Sequence, residues 1–184
     1  ALKAGREIGY PLAASVVSPD IIHKSDAGGV VLHIDDEAEL GRAYGRIFSE
    51  VGRNAPQAHI EGIFIQEMVS EGAELILGAQ YNEQLGHLLM FGLGGKYVEI
   101  LKDVSFRLAP ITRQDAEEMI KEVKAYEMLK GFRDIPAADL DALIEGLLRL
   151  SQLVTDFPEI REIDLNPVFA RKDGAVVVDA RILL

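Results

Sequence analysis

Three groups of residues in this chain have types and spacings that could do chemistry. His23 stands in a polar stretch, residues 21–29 (IIHKSDAGG), beside Lys24, Ser25 and Asp26 and ahead of Gly28-Gly29. An imidazole in such a loop can accept a phosphoryl group at a ring nitrogen, since it is nucleophilic near neutral pH. An ordinary exposed histidine has the same local surroundings. In Glu162-Ile163-Asp164-Leu165-Asn166-Pro167, strand alternation puts Glu162, Asp164 and Asn166 on one face. Three oxygen-bearing side chains there suit a hard cation such as Mg²⁺, or else form a solvated strand face. The third group is Phe91-Gly92-Leu93-Gly94-Gly95-Lys96. Met90 falls where a Walker loop needs its first glycine, and Tyr97 takes the place of the last glycine of a dinucleotide fingerprint. The glycines still allow backbone amides to approach an anion, or make a plain turn.

Lys96, Lys102, Arg107 and Arg113 fall in one stretch of an acidic chain. They can line a nucleotide phosphate pocket or decorate a solvated strand. His33, His59 and His87 read as ordinary structural residues.

The elements that must position these groups follow from the hydrophobic pattern. Residues 1–9 read as the tail of a helix closed by Gly9 with nothing capping its start, so the natural chain is expected to begin earlier. Residues 12–17 and 29–34 are strand-like. Asp35 is expected to cap a helix with Leu40, Ala43, Tyr44, Ile47, Phe48 and Val51 on its apolar face. Residues 60–69, 74–81 and 85–91 follow as strands, and residues 97–109 read as extended. Thr112 and Asp115 form a capping box opening a helix to about Leu129, and Leu140 to Val154 make a second apolar helix. Residues 160–170 and 175–182 form a hairpin around Lys172-Asp173-Gly174. The pattern is α+β in two lobes, residues 1–62 and 63–184.

Composition bounds the function. The 184 residues include 19 Lys+Arg and 30 Asp+Glu, a net charge of −11, with 48% hydrophobic residues and no cysteine. That acidity argues against nucleic acid or an anionic membrane as the main partner. The absence of cysteine removes disulfide scaffolds, zinc–thiolate sites and thiol nucleophiles. A cytoplasmic globular protein is the expectation.

Taken in order, Gly9-Tyr10-Pro11, Ser18-Pro19-Asp20-Ile21-Ile22-His23-Lys24-Ser25-Asp26-Ala27-Gly28-Gly29-Val30, Phe91-Gly92-Leu93-Gly94-Gly95, Glu162-Ile163-Asp164-Leu165-Asn166-Pro167-Val168 and Asp179-Ala180-Arg181 resemble one family. It is the ATP-grasp domain of ADP-forming acyl-CoA synthetases, as a β subunit or fused equivalent. The likeness runs over nearly the whole chain and implies an ATP-grasp fold of two α+β lobes clamping a nucleotide, here without its first segment. It implies the reaction acyl-CoA + ADP + phosphate = acid + CoA + ATP through phosphohistidine, with ATP/ADP and Mg²⁺ bound. A CoA-binding partner subunit or fused domain would carry the first phosphohistidine, within an oligomer.

By the same resemblance, His23 carries the phosphoryl group onward to ADP. The strand of residues 63–69 is the hinge, where Glu67 and the backbone of Met68 or Val69 read adenine. Glu74 contacts the ribose or hinge, Arg107 a phosphate, and Asp164 and Asn166 hold Mg²⁺. Ser15 departs from the pattern, standing where family members usually carry a lysine for the nucleotide phosphates. Its loss removes a charge-assisted contact of about 1.5–3 kcal/mol. That departure motivates a second reading, a degenerate synthetase-like regulatory domain of a protein lysine acetyltransferase.

Overall fold

The computed structural model describes residues 1–69, 72–94, 103–131, 133 and 136–184. It divides into two units, Ala1–Ser70 and Glu71–Leu184.

The first unit contains α1 (Leu2–Ile8), β1 (Leu12–Val17), β2 (Val30–Ile34), α2 (Glu37–Asn54) and β3 (Gly62–Glu67). The strands make an antiparallel sheet in the order β2-β1-β3. Alternation sends Leu12, Ala14 and Val16 of β1 to one face, where α2 covers them with Leu40, Ala43, Ile47 and Val51. Each fully buried aliphatic side chain contributes about 1.5–3 kcal/mol to holding helix and sheet together. Tyr44 and Phe48 leave this face. They are 40% and 38% exposed and pack on each other with ring centroids 5.1 Å apart, because the core needs only the stripe 40-43-47-51.

The helix starts one residue later than the sequence suggests. Asp36, not Asp35, accepts from the Glu39 amide (2.7 Å), while the Glu39 carboxylate accepts from the Asp35 amide (2.8 Å). With Asp36 as the cap, a glutamate stands three residues on and can reach back; Asp35 would have Ala38 there. In β2 an extra residue opposite β1 is absorbed at His33, which adopts φ 55°, so that Ile34 returns to the core.

The expected lobe boundary between residues 62 and 63 falls just inside β3. That strand pairs with β1 along its whole length, so it belongs to the first unit, and the division comes after Ser70.

The second unit comprises β4 (Ala73–Asn82), β5 (Gly86–Leu93), β6 (Val104–Leu108), α3 (Arg113–Glu122), α4 (Tyr126–Leu129), α5 (Leu140–Asp156), β7 (Glu162–Arg171), β8 (Gly174–Val177) and β9 (Ala180–Leu183). Its antiparallel sheet runs β6-β5-β4-β7-β8, with β9 also on β7. One face, carrying Leu75, Leu77, Leu89, Phe91 and Ile163, is packed under α3 and α5. The Thr112–Asp115 capping box forms as expected.

The helix it opens stops at Glu122 rather than running to Leu129. The buried Asp103 carboxylate accepts from the Lys124 and Ala125 amides, both at 2.8 Å, and starts the separate turn α4. The second arm of the last hairpin is likewise split, into β8 and β9. Pro167 accepts from the Val178 amide (3.0 Å) but has no N–H to return. Among the described residues, no helix is long and apolar enough to cross a membrane.

Candidate functional site

On the second unit, the sheet face away from the helices forms a groove. β4 alternates strictly, so Leu75, Leu77 and Ala79 enter the core while Glu74, Ile76, Gly78 and Gln80 lie on the open side. Register puts Gly78 opposite Asp164 and Gln80 opposite Glu162. Leu88 and Met90 of β5 and Phe106 of β6 continue the open face. Ile76, Gly78, Gln80, Leu88, Met90, Phe106, Glu162 and Asp164 line a concavity of about 310 Å³, apolar along β5 and β6 at Leu88, Met90 and Phe106 and acidic along β7 at Glu162 and Asp164, with Ile76 on the strand between them. Gly78 keeps its floor low, since a Cβ there would sit 3.0 Å from the Ile163 carbonyl oxygen. An apolar slot ending in a few convergent polar groups suits a flat heterocycle with a charged tail.

At the acidic end, β7 bulges against β4. Asn166 and Pro167 together oppose the single residue Ile76, which lets Val168 return to the core across from Leu75. On the other edge of β7 the register is unbroken. Arg171 faces Gly174, Val168 faces Val177, Leu165 faces Ala180 and Asp164 faces Arg181. The same count sets Asn166 beside Asp179, whose carbonyl accepts from the Asn166 amide (3.2 Å). Asp164 Oδ1 is shielded from solvent, and Arg181 Nη1 stands 3.9 Å from Glu162 Oε1.

Sequence reasoning did not include Asp179 among the site residues. Counting pairs outward from the two-residue turn Lys172-Asp173 would have found it. Asp164, Asn166 and Asp179 offer two carboxylates and an amide oxygen. Among the described residues, no group of three or more His, Cys, Asp or Glu could hold a metal ion unaided. A hard cation on this set would therefore complete its shell with water and phosphate oxygens, as Mg²⁺ does.

Glu74 lies on the same open face, with its carbonyl accepting from the Gly94 amide (2.8 Å). Arg107 does not. Its Cα partner is the core residue Leu89, so its side chain turns to the helix-covered face, where it forms a forked ion pair with Glu122 and meets Glu118 at 3.6 Å. The expected phosphate contact from Arg107 is therefore not assembled with Asp164, because α3 supplies carboxylates first. Arg113 likewise pairs with Asp141 and Glu117. Lys96, Lys102 and Gly95 lie outside the described residues.

Hydrogen bonding to Arg107 is the main cause holding the Glu122 carboxyl below its ordinary value, and the same bond raises Arg107. Such a depressed carboxyl adds stability above its unfolded value, near 4.3, and loses it as pH falls through the lower folded value. Urea midpoints should therefore fall more steeply below pH 4.5 in the natural protein than in Arg107→Met. Because Glu122 is half exposed, the difference is expected at about 1 kcal/mol or less. Equal acid slopes in the two proteins would show the pair to be energetically silent.

In the first unit, His23 opens a closed turn. Its carbonyl accepts from the Ala27 amide (3.3 Å), that of Ser25 from Gly28 (3.0 Å) and that of Lys24 from Gly29 (2.8 Å). Gly28 has φ 71°, and the His23 side chain is exposed. Ser15 is half-buried on the face of β1 opposite α2, across from Phe64 and Val30. Glu67, the exposed last residue of β3, pairs with Leu12, so by alternation Gln66 rather than Glu67 shares the face of Ser15. The Met68 amide donates to the Pro11 carbonyl (3.0 Å), and Val69 follows it.

The two glycines of the glycine-rich stretch that are described have packing reasons. A Cβ on Gly92 would lie 2.5 Å from the Asp103 carbonyl oxygen, and one on Gly94 would lie within 3.0 Å of three backbone atoms of Leu75.

A model of the ATP-grasp domain matches residues 1–184. Acetate–CoA ligase [ADP-forming] I of Archaeoglobus fulgidus is 52% identical over 96% of this chain, which spans only 26% of that protein. Acetate–CoA ligase [ADP-forming] I subunit beta of Pyrococcus furiosus is 47% identical over the whole chain and 79% of the subunit. Among solved structures, the dinucleotide forming acetyl-coenzyme A synthetase 1 of Ca. Korarchaeum cryptofilum, in complex with coenzyme A, Ca-AMPCP and HgCl⁺, superposes with a TM-score of 0.96. It is 49% identical and covers all of this chain and 80% of that one. Another structure of that enzyme contains coenzyme A and Mg-AMPPCP, with its phosphohistidine segment pointing towards the nucleotide binding site.

Proposed function

This chain belongs to the ATP-grasp domain family, in the branch found in ADP-forming acetate–CoA ligases, and from that premise we propose that it is the nucleotide-binding and phosphoryl-transfer part of such an enzyme. The observation that carries the proposal is the groove of the second unit, apolar on one side and acidic at Glu162 and Asp164 on the other, with Asn166 and Asp179 following Asp164 along the register of β7. The base of ADP rests on Ile76, Leu88, Met90 and Phe106, and its phosphates extend toward the three oxygen-bearing residues. Mg²⁺ held there would neutralise the phosphate tail during transfer. Glu74 lies on this face of β4 and is assigned to ribose or hinge contact by the family pattern. Ser15, Glu67, Met68 and Val69 are assigned to nucleotide contact by the family pattern.

His23 is the carrier. The lone pair of one ring nitrogen attacks the phosphorus of a phosphohistidine on the partner subunit or domain. The new P–N bond forms as the old one breaks; the donor ring, protonated at its other nitrogen, leaves as neutral imidazole, and His23 keeps the proton on its own second nitrogen. A terminal phosphate oxygen of ADP then attacks the same phosphorus, the P–N bond to His23 breaks, and ATP and neutral His23 result. In the Korarchaeum enzyme the phosphohistidine segment points towards the nucleotide binding site, which supports delivery of a phosphoryl group from such a segment towards ADP. The full reaction, acyl-CoA + ADP + phosphate to acid, CoA and ATP, needs the partner portions that make up the rest of the relatives. None of the relatives named above favours the acetyltransferase-linked regulatory reading.

Calorimetric titration of Mg-ADP into the full-length protein tests the binding reading. Micromolar affinity is expected, falling at least tenfold in Asp164→Asn or when EDTA removes Mg²⁺. Ser15→Lys should tighten it about ten- to hundredfold by restoring a charge-assisted contact. ADP binding that ignores both Mg²⁺ and Asp164 would defeat the proposal.

A further inference from the structure

The carrier reading leaves open how an exposed imidazole is kept in one place. A phosphoryl carrier must meet two partners in turn, the phosphorus of the donor and then the attacking oxygen of ADP, each in line and at contact distance, so the backbone beneath it has to be fixed even though the ring stands in solvent. The turn of residues 23–29 closes on itself through the amides of Ala27, Gly28 and Gly29, but those three bonds shape the turn without anchoring it.

Its anchors come from elsewhere in the first unit. On the strand side, Gly29 lies so close to β1 that a Cβ would be 2.4 Å from Val16 Cγ1, and the Gly29 carbonyl accepts from the Val16 amide (2.7 Å). On the helix side, Gly28 lies against Glu50, where a Cβ would be 2.6 Å from the Glu50 Cβ. The polar tie on that side is Asn54, the last residue of α2, whose Nδ2 donates to the Ala27 carbonyl at 3.2 Å. Ala27 is also the residue whose amide reaches the His23 carbonyl, so the bond from Asn54 meets the turn directly opposite the imidazole-bearing residue.

We infer that Asn54 is a positioning residue for phosphoryl transfer. Together with the Gly28–Glu50 contact, it fixes the His23 turn to the C-terminal end of α2, so that the ring pivots about χ1 and χ2 on a stationary backbone. The inference rests on the reading of His23 as the carrier. Asn54 is not among the residues assigned above to nucleotide or phosphoryl contact. Its effect is on where His23 stands, not on how tightly ADP binds.

The test uses the complete enzyme with its partner subunit or domains. Enzyme phosphorylated by acyl-CoA and phosphate is mixed with ADP, and the single-turnover appearance of ATP is followed in the natural protein, Asn54→Ala, Asn54→Asp and His23→Gln. Loss of one anchoring hydrogen bond should slow transfer about three- to tenfold in Asn54→Ala. The KM for ADP and the rate at which the partner's histidine is phosphorylated should stay unchanged. Asn54→Asp keeps the shape without the donor and should be as slow as Asn54→Ala. A His23→Gln enzyme that still delivers phosphate to ADP overturns the carrier reading and this inference with it. If His23→Gln is silent while Asn54→Ala or Asn54→Asp transfers at the natural rate, the carrier stands and the positioning role of Asn54 falls. A rise in the KM for ADP accompanying an unchanged transfer rate would also overturn it.

Discussion

Replacing His23 by Gln in the complete enzyme should abolish ATP formation from acyl-CoA, ADP and phosphate, by at least about a thousandfold, while leaving the fold untouched. Glutamine keeps the polarity and approximate size of imidazole but has no nitrogen lone pair able to form a P–N bond. Because the His23 side chain is exposed, its removal should change stability by less than about 0.5 kcal/mol. ADP binding should persist, since His23 is not among the residues that line the groove proposed for it. The partner's own histidine should still be phosphorylated, and should then accumulate its phosphoryl group for want of an acceptor. Phosphate-labelled enzyme that turns over normally in the variant would sink the carrier role.

The second large effect is on stability. Gly94→Ala should destabilise the protein by about 3 kcal/mol, read as a drop in the urea midpoint. The added methyl would stand 2.8 Å from the Leu75 carbonyl carbon and oxygen and 3.0 Å from its nitrogen. All three are backbone atoms of a strand paired on both sides, so no side-chain rotation relieves the clash, and overpacking of this kind costs about 1–3 kcal/mol or more. A phosphate-cradling role for Gly94 predicts the reverse pattern, near-natural stability with weakened ADP binding. The two measurements on one variant separate packing from ligand contact.

Much of the chain was legible because its elements carry strong local signals. β1, the α3 capping box and the long helix α5 follow from apolar spacing and caps that need no tertiary information. Two of the misreadings share one cause. Asp103 reaches across the chain to end a helix that its own sequence would continue, and Arg107 is drawn to Glu122 on α3 rather than to the open face. Both outcomes depend on partners 15 to 22 positions away, which no periodicity reports. Tyr44 and Phe48 fit the apolar period of α2 yet remain outside, since the small sheet beneath the helix has room for one stripe of side chains.

The candidate site was half legible for a related reason. Asp164 and Asn166 were visible from alternation, whereas the bulge at Asn166-Pro167 and the arrival of Asp179 require two strands to be laid side by side. The signal for Asp179 was nonetheless in the sequence, because a two-residue turn fixes every pair behind it.

That turn makes the tip of the last hairpin a length gauge. Lys172 and Asp173 touch nothing in the groove, and at about 3.3 Å per residue they lie roughly 20 Å along the strand from Asn166. Yet one residue inserted or lost between them would slide the returning arm by a single step. Asp179 and Arg181 would then trade faces with Val178 and Ala180, since side chains alternate with a period of two. The oxygen cluster would lose a carboxylate, and Asp164 would lose the guanidinium across from it, without any change to residues 162–167 themselves. The identity of the residues at this tip is thus separate from the groove while their number is not, and the cation chemistry proposed at one end of the strand depends on a spacing set at the other.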